Sequence, residues 1–475
     1  MQISSNLRSI FWSATERFSI QGAQFLTSII LARLILPEEY GLIAMVTIFI
    51  ALAQAFVDSG FSSALIQKKE AKEEDFSTVF IFNFIVSLFF YLILFTLAPY
   101  VAKFYHEEKL TLITRCIGIN IIISSLFIVP KTKLQIALNF KKQAKISFMS
   151  ILVSSITSIY LAYHNWGVWA LVTQSICNNI CMVFFYSIWV KWYPQLIFSR
   201  SSFKQLFGFG SRLLIGGLLQ TFYSNLYTLI IGKFFGSSDV GLFNRASNFA
   251  QFPSTNFTGI ICNATYPQQC LLKDNEELLS QHFISTLKYS AFVTFPTCIC
   301  LAVLSKPFLS CILNQNWIPA YPYLSLLSIS YMFMPIQTLN WQYLNVKGRT
   351  DLSLKAEIYK KTFAIFFLLV SIPFGMIYLS LSIMVYALTD IYIITKYTKK
   401  ISHLTLSLEI SHLLPIFLTS SLAGIITFST YYFFENKWIQ LSVGGFIYLL
   451  SFSILCHLWN IEEYRKLMNK IGFHK

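Results

Sequence analysis

The sequence predicts an all-α polytopic membrane protein, and three observations support this fold class. Hydrophobic residues make up 55% of the 475 positions, whereas charged residues make up only 12%, about half the roughly 25% of soluble domains. The mean hydropathy is +0.59. Apolar runs recur along the whole chain at lengths that cross about 30 Å of hydrocarbon. This composition excludes a soluble enzyme, a nucleic-acid-binding protein and a disordered chain, despite the net charge of +15.

About fourteen membrane helices are predicted, and together they leave only short loops. The predicted spans are 11–35, 40–66, 76–98, 110–129, 146–163, 168–192, 206–232, 242–266, 284–304, 318–340, 359–375, 378–396, 412–434 and 438–460. The eighth span is rich in asparagine and is too polar to face lipid, so we expect it to line a bundle interior or a cavity. No small-residue cleavage site follows the first span, so we expect that span to be retained. The loops are too short for a folded domain outside the membrane.

The basic residues predict the orientation of the chain. If the N-terminus is cytoplasmic, 25 of the 36 Lys and Arg residues lie in segments on the cytoplasmic side and only five in segments on the other side. This asymmetry follows the positive-inside rule. It predicts that both termini are cytoplasmic.

An internal repeat divides the predicted helices into two bundles. The run from Ser28 to Ile43 matches the run from Thr228 to Phe243 without a gap, so that Gly41 corresponds to Gly241. Six helices separate the two copies, which therefore have the same orientation, and a parallel repeat of this kind predicts two pseudo-symmetric six-helix bundles around a cavity. The predicted boundaries are an N-lobe at 1–200, a C-lobe at 201–400, and a C-terminal helix pair with its tail at 401–475. Such an architecture is typical of carriers that work by alternating access.

Ionisable residues within the first two spans are candidates for function, because each costs roughly 2.5 to 3.5 kcal/mol to insert. Arg17 and Asp58 lie about 9 to 12 Å from the inner ends of their helices by helical rise. One interpretation is a structural ion pair. The other is that Arg17 is a cavity cation for an anionic substrate, with Asp58 as a gate or proton site.

Further candidates lie in the second lobe. Arg245 accompanies a helical face of amides, Asn244, Asn248 and Gln251, whose donors and acceptors suit sugar hydroxyls. The alternative is that these side chains make polar contacts between helices. Two other cations are candidates for substrate binding, and one carboxylate is a candidate for gating or coupling: Arg212, Lys288 and Asp390. Snorkelling to lipid phosphates explains Arg212 nearly as well.

Two stretches carry a resemblance to a known family. ILARLILPEEYGLIAM (30–45), followed by FVDSGFSSALIQKK (56–69), resembles the Wzx-type polysaccharide and O-antigen flippases of the multidrug/oligosaccharidyl-lipid/polysaccharide (MOP) superfamily, with IIGKFFGSSDVGLFNRA (230–246) as the second-lobe counterpart. The resemblance implies a V-shaped pair of bundles like that of MATE transporters. It also implies a carrier in the bacterial inner membrane that flips an undecaprenyl-diphosphate-linked oligosaccharide from the inner to the outer leaflet, for O-antigen, capsule or exopolysaccharide biosynthesis. The implied partners are that substrate, membrane lipids and polysaccharide assembly proteins such as a polymerase.

Two alternatives remain open at this point. A cation-coupled multidrug exporter shares the fold, but the cavity candidates are mostly Arg and Lys, which favour an anionic substrate. A membrane polysaccharide polymerase or ligase generally carries a long outer loop, and the predicted outer loops are short. The sequence has no phosphate-cradling glycine loop, HExxH motif or Gly-x-Ser-x-Gly motif. We therefore expect a transporter rather than an enzyme, with no cofactor, no metal site and no nucleic-acid partner.

Overall fold

The computed structural model describes residues 20–58, 60–68, 71–195 and 197–471, and within these ranges all regular secondary structure is helical. By packing, the chain divides into two compact units, Met1–Gly241 and Leu242–Lys475. This division describes packing within the chain, whereas the predicted lobe boundaries follow the sequence repeat and stay a prediction.

The first unit contains eight helices and the first turn of a ninth among its described residues. They are α1 (20–34), α2 (Pro37–Asp58), α3 (Phe61–Gln67), α4 (Glu73–Tyr105), α5 (Lys109–Ile136), α6 (Phe140–Tyr163), α7 (Val168–Val190), α8 (Arg200–Phe234) and the start of α9 (Ser237–Leu271). Helix α8 packs against α2, α3 and α4. The helices of this unit approach one another on small residues: α6 alone buries five serines on one stripe, Ser147, Ser150, Ser154, Ser155 and Ser158.

The second unit contains the rest of α9 and ten further helices. They are α10 (Glu276–Val303), α11 (Ser305–Ile312), α12 (Tyr321–Tyr331), α13 (Met334–Val346), α14 (Thr350–Ser371), α15 (Met376–Thr398), α16 (Leu406–Phe428), α17 (Thr430–Phe433), α18 (Lys437–Leu458) and α19 (Glu462–Ile471). Two short 3₁₀ helices lie at Gln315–Ala320 and Ile372–Phe374. The core of this unit is aromatic and aliphatic and lies mainly among α10, α13, α16 and α18, with Phe283, Phe295, Tyr343 and Tyr448 fully buried.

Every predicted span overlaps a helix, although the first lies only partly within the described residues. Ten helical segments of the described chain are long and apolar enough to cross a membrane. Among the helices that overlap a predicted span, those outside that group are α1, α9, α12, α13 and α14. The polar sequence of α9 and the break that leaves α12 and α13 short account for three of these five helices. The polytopic all-α fold is confirmed, and the number of fourteen crossings stays a prediction.

The helix boundaries follow the repeat offset. Helix α2 begins at Pro37 and α9 begins at Ser237, and both carry acidic residues in the first turn. Proline at the first helical position lacks only an N–H that would have no partner there, and acidic side chains favour the positive end of the helix dipole. Helices α1 and α8 end at residues 34 and 234. The same spacing of 200 residues thus separates the helix ends as well as the matched sequences.

Candidate functional site

The polar face predicted on the eighth span lies on α9, and its members differ in exposure. Arg245 is only 7% exposed. Its guanidinium carbon lies 5.3 Å from the centroid of the Trp317 ring and 5.9 Å from that of Phe249, distances typical of a cation–π contact. Trp317 is itself fully buried in the 3₁₀ helix before α12. The contact of Arg245 with Trp317 therefore stabilises the packing of α9 against that segment.

A hydrogen bond joins the same face of α9 to α12. The Gln251 amide donates to the Tyr331 hydroxyl at 2.6 Å and to the Ser247 hydroxyl at 3.3 Å. This is the polar contact between helices that the alternative interpretation anticipates for Gln251. Asn244 is half-buried, whereas Asn248 is exposed. Of the predicted face, the Asn248 amide is the most accessible to a ligand.

The second-lobe cation Lys288 makes contacts away from this face. Its ammonium lies 2.7 Å from a carboxylate oxygen of Glu462 and 2.8 Å from one of Glu463. Both carboxylates open α19, the short helix after the last membrane-spanning helix. Glu462 accepts hydrogen bonds from Lys288 and Lys466, which lower its pKa to about 2. Lys288 therefore anchors α19 to α10 in the structure.

Asp390 is buried in α15 and has an internal counter-ion. The Lys360 ammonium lies 3.0 Å from an Asp390 carboxylate oxygen and 2.7 Å from one of Glu357. Lys360 lies at the start of the predicted span 359–375, whereas α14 begins earlier, at Thr350, and the Lys360 side chain is only 7% exposed. The helix thus begins before the apolar run, and its charged residues Glu357 and Lys360 are paired within the second unit.

A second buried carboxylate was missed by sequence reasoning. Glu409 is 1% exposed, and its Oε2 accepts a hydrogen bond of 3.0 Å from the Asn340 amide, which is fully buried. The predicted thirteenth span begins at residue 412, three residues after Glu409. Helix α16 begins earlier, at Leu406, where the Thr405 hydroxyl caps it. The Thr-x-x-Leu-Glu start followed by an apolar run was the available signal.

In the first unit, the predicted pair is only half described. Arg17 lies outside the described residues, and the side chain of Arg212 on α8 lies outside them too. Asp58 is exposed at the end of α2 and accepts a hydrogen bond of 3.4 Å from the Gln54 amide. Whether Arg17 meets Asp58 stays a prediction.

A polar seam among α2, α5 and α7 was also missed. The Ser124 hydroxyl donates to Gln54 at 2.9 Å, the Asn120 amide donates to Ser175 at 2.9 Å, and the Asn179 amide donates to Asn120 at 2.9 Å. These side chains form pairs four residues apart on three helices: 54 and 58, 120 and 124, 175 and 179. The helical periodicity that identifies the polar face of α9 also identifies these pairs.

Comparison with known proteins places the chain in a family. The family described as polysaccharide biosynthesis protein matches residues 30–322. The teichuronic acid biosynthesis protein TuaB of Bacillus subtilis is 26% identical over 303 residues, which are 63% of this chain and 63% of TuaB. The lipopolysaccharide biosynthesis protein WzxC of Escherichia coli is 24% identical over 352 residues, 74% of this chain and 71% of WzxC. The match thus spans somewhat less than two thirds of TuaB.

The fold has a close counterpart among solved structures. The structure of the lipid II flippase MurJ in an inward closed conformation superposes with a TM-score of 0.77, covering 97% of this chain and all of MurJ at 15% identity. The family match covers more than half of the chain, including the stretch at 30–45 that carries the resemblance in sequence. The chain belongs to the polysaccharide biosynthesis protein family.

Proposed function

We propose that this protein is a carrier that flips an undecaprenyl-diphosphate-linked oligosaccharide from the inner to the outer leaflet of the bacterial cytoplasmic membrane. The observation that carries the proposal is the family match over residues 30–322. TuaB and WzxC are named for the biosynthesis of cell-surface polymers, and MurJ is named as a lipid II flippase. A chain of helices joined by short loops suits movement of such a substrate across the membrane better than its chemical conversion.

The polar side chains within the bundles supply recognition groups for the glycan. Asn248 on α9 presents an exposed amide, and Gln251 beside it is held in place by Tyr331. An amide both donates and accepts, as the hydroxyl groups of a sugar require. Arg245 keeps α9 in register through its contact with Trp317. We assign glycan contact to Asn248 and support of that contact to Arg245, Asn244 and Gln251.

The diphosphate requires a cation that stays charged. Arginine does so at any physiological pH and binds phosphate oxygens through two N–H groups at once. Arg17 and Arg212, the latter on α8, are our candidates for binding the diphosphate. Lys288 is already neutralised by two carboxylates. In this proposal the headgroup is bound by the two arginines.

Asp390 is our candidate for coupling. It shares the ammonium of Lys360 with Glu357 inside the second unit. A buried ion pair of this kind is sensitive to any change in the charge of either partner. Binding of a cation or a proton at Asp390 would free Lys360 for Glu357 alone and would change the packing of α14 on α15.

The orientation follows from the basic residues, with both termini cytoplasmic. In the membrane the carrier delivers its product to the polymerase and other assembly proteins on the outer side. The test in cells is depletion of this protein, after which the lipid-linked repeat unit should accumulate with its glycan shielded from a lectin added outside. Accumulation on the outer side, or unchanged polymer output, would contradict the proposal.

A further inference from the structure

A carboxyl group and an amide group meet inside the apolar core of the second unit, and each has one oxygen atom without a partner. The Asn340 Nδ2 donates to Glu409 Oε2 at 3.0 Å and to the backbone carbonyl of Ile336 at 3.0 Å. Glu409 Oε1 and Asn340 Oδ1 are buried and accept no hydrogen bond from any residue that the structure describes. Both N–H groups of the amide are therefore used, and only oxygen atoms are left over.

A single proton satisfies both oxygen atoms. With Glu409 ionised, two buried acceptors lack a donor and a negative charge lies in an apolar core, each of which is costly. With a proton on Oε1, the carboxylic acid becomes a donor to Asn340 Oδ1 while Oε2 continues to accept from Nδ2. In this protonated state the acid and the amide would close a ring of two hydrogen bonds.

We propose that Glu409 and Asn340 form a proton-binding site at the start of α16. The proton is the ligand, Glu409 carries it, and Asn340 is the positioning residue that accepts the hydrogen bond of the protonated acid. The link to transport rests on the proposed function, and in it Glu409 is a second group, beside Asp390, through which the carrier responds to a proton gradient. The proton site itself requires only the geometry of the pair.

The charged and titratable groups around the site do not neutralise Glu409. The helices packed against α16 include α10, α15 and α18, and Asn340 lies on α13. The partly or fully buried groups of this kind on the inner halves of α10, α13, α15, α16 and α18 are Glu276, His282, Lys288, Tyr343, Asp390, Tyr397, His412, Tyr448 and Cys456. Lys288 is paired with α19 and Asp390 with Lys360. No ion pair within the described chain reaches Glu409, which leaves the proton as its source of neutralisation.

The position of Asn340 links the site to helix movement. Asn340 lies on α13, which is separated from α12 by a turn at Met332 and Phe333 and begins with Pro335 at its second position. Such a break allows α13 to move without α12. Withdrawal of Asn340 from Glu409 removes the acceptor for the acid hydroxyl and opens the carboxyl group to water, so that the proton is released. Return of α13 restores the acceptor and favours uptake of a proton by Glu409.

Infrared spectroscopy of the full-length protein in lipid vesicles tests the site. At neutral pH the wild type should show a carbonyl band of a protonated, buried carboxylic acid, and Glu409→Gln should lack that band. Glutamine can form the same ring with Asn340, so this variant should fold. Glu277→Gln removes an exposed carboxylate on α10 and should leave the band intact, whereas Asn340→Leu should shift it. A spectrum in which Glu409→Gln removes no protonated-acid band overturns the site.

The link to transport is tested separately in the same vesicles. An imposed proton gradient should accelerate flipping of an undecaprenyl-diphosphate-linked oligosaccharide by the wild type and should have no effect on Glu409→Gln. An unchanged response of Glu409→Gln to the gradient overturns the coupling role. If the wild type moves no lipid-linked oligosaccharide at all, the proposed function fails while the infrared result still decides the proton site.

Discussion

Gly41 in α2 and Gly241 in α9 oppose each other, backbone against backbone, at matching positions of the repeat. A Cβ atom on Gly41 would lie 3.1 Å from the backbone nitrogen of Gly241, and one on Gly241 would lie 3.2 Å from that of Gly41. Each added atom would also collide with the carbonyl group four residues before the opposite glycine, that of Ser237 or Pro37. The contacts are reciprocal, as a local two-fold relation between the starts of α2 and α9 requires. Both segments belong to the first unit.

We expect Gly41→Ala and Gly241→Ala to destabilise the protein by about 1 to 3 kcal/mol each, because the added methyl group overpacks a backbone contact. Thermal unfolding in detergent and polymer export in cells measure the effect. Gly259→Ala is the matched control in α9, since a Cβ there meets no atom within 4 Å and alanine favours a helix. If Gly41→Ala is tolerated as well as Gly259→Ala, the backbones of α2 and α9 do not approach each other this closely at Gly41.

We expect removal of either member of the buried pair of Lys360 and Asp390 to destabilise the protein strongly. Removing one member of a buried ion pair leaves an uncompensated charge and typically costs about 3 to 5 kcal/mol, so Lys360→Ala and Asp390→Ala should each lower the unfolding temperature strongly. Lys360→Met with Asp390→Asn removes both charges and should recover much of the loss. Arg349→Ala breaks an exposed pair with Asp351 and should behave like the wild type. Equal stability of Lys360→Ala and Arg349→Ala would contradict the burial.

We expect Lys288→Ala to release α19, because it removes the cation shared by Glu462 and Glu463. Faster proteolysis within 462–471 measures the release, and Lys288→Arg should preserve protection. The pKa of Glu462 is lowered to about 2, so its stabilisation is fully present above its ordinary pKa of about 4.3 and is lost as the pH falls towards 2. Hydrogen exchange in α19 should therefore remain slow at pH 5 and rise below about pH 4. Release of α19 already at pH 6 would contradict this pairing.

We expect two neighbouring residues of α9 to differ in their effects. Gln251→Ala breaks the hydrogen bond to Tyr331 and should destabilise the protein by about 1 kcal/mol. Asn248→Ala, at an exposed position, should leave the unfolding temperature unchanged while reducing export. Asn256→Ala is the control, since the Asn256 amide donates to the Phe252 carbonyl of its own helix. If Asn248→Ala exports at the wild-type rate, Asn248 does not contact the glycan.

The fold was predictable from sequence because the length of an apolar run and the 200-residue repeat can be read from the order of residues without knowing which helices are neighbours. The same offset predicted that α2 and α9 begin alike. The pairing of side chains was not predictable, since it depends on which helices are neighbours. Lys288, a candidate for substrate binding, pairs with α19. Lys360, at the start of the predicted span 359–375, is buried beside Asp390, and Glu409 lies before the predicted span 412–434. Hydropathy places the start of a span at the first apolar residues, so it misses the polar beginnings of α14 at Thr350 and α16 at Leu406. It also does not show which distant helix a charged side chain meets.

Reconstitution of the purified protein into vesicles with a labelled undecaprenyl-diphosphate-linked oligosaccharide tests the central proposal most directly. We expect the protein to move the glycan from one leaflet to the other at a rate far above that of protein-free vesicles. Protection of the glycan from a glycosidase added outside measures this movement. Asn248→Ala should slow this movement and Asn256→Ala should not. No movement above the protein-free rate, in vesicles where the protein is folded, would contradict the account.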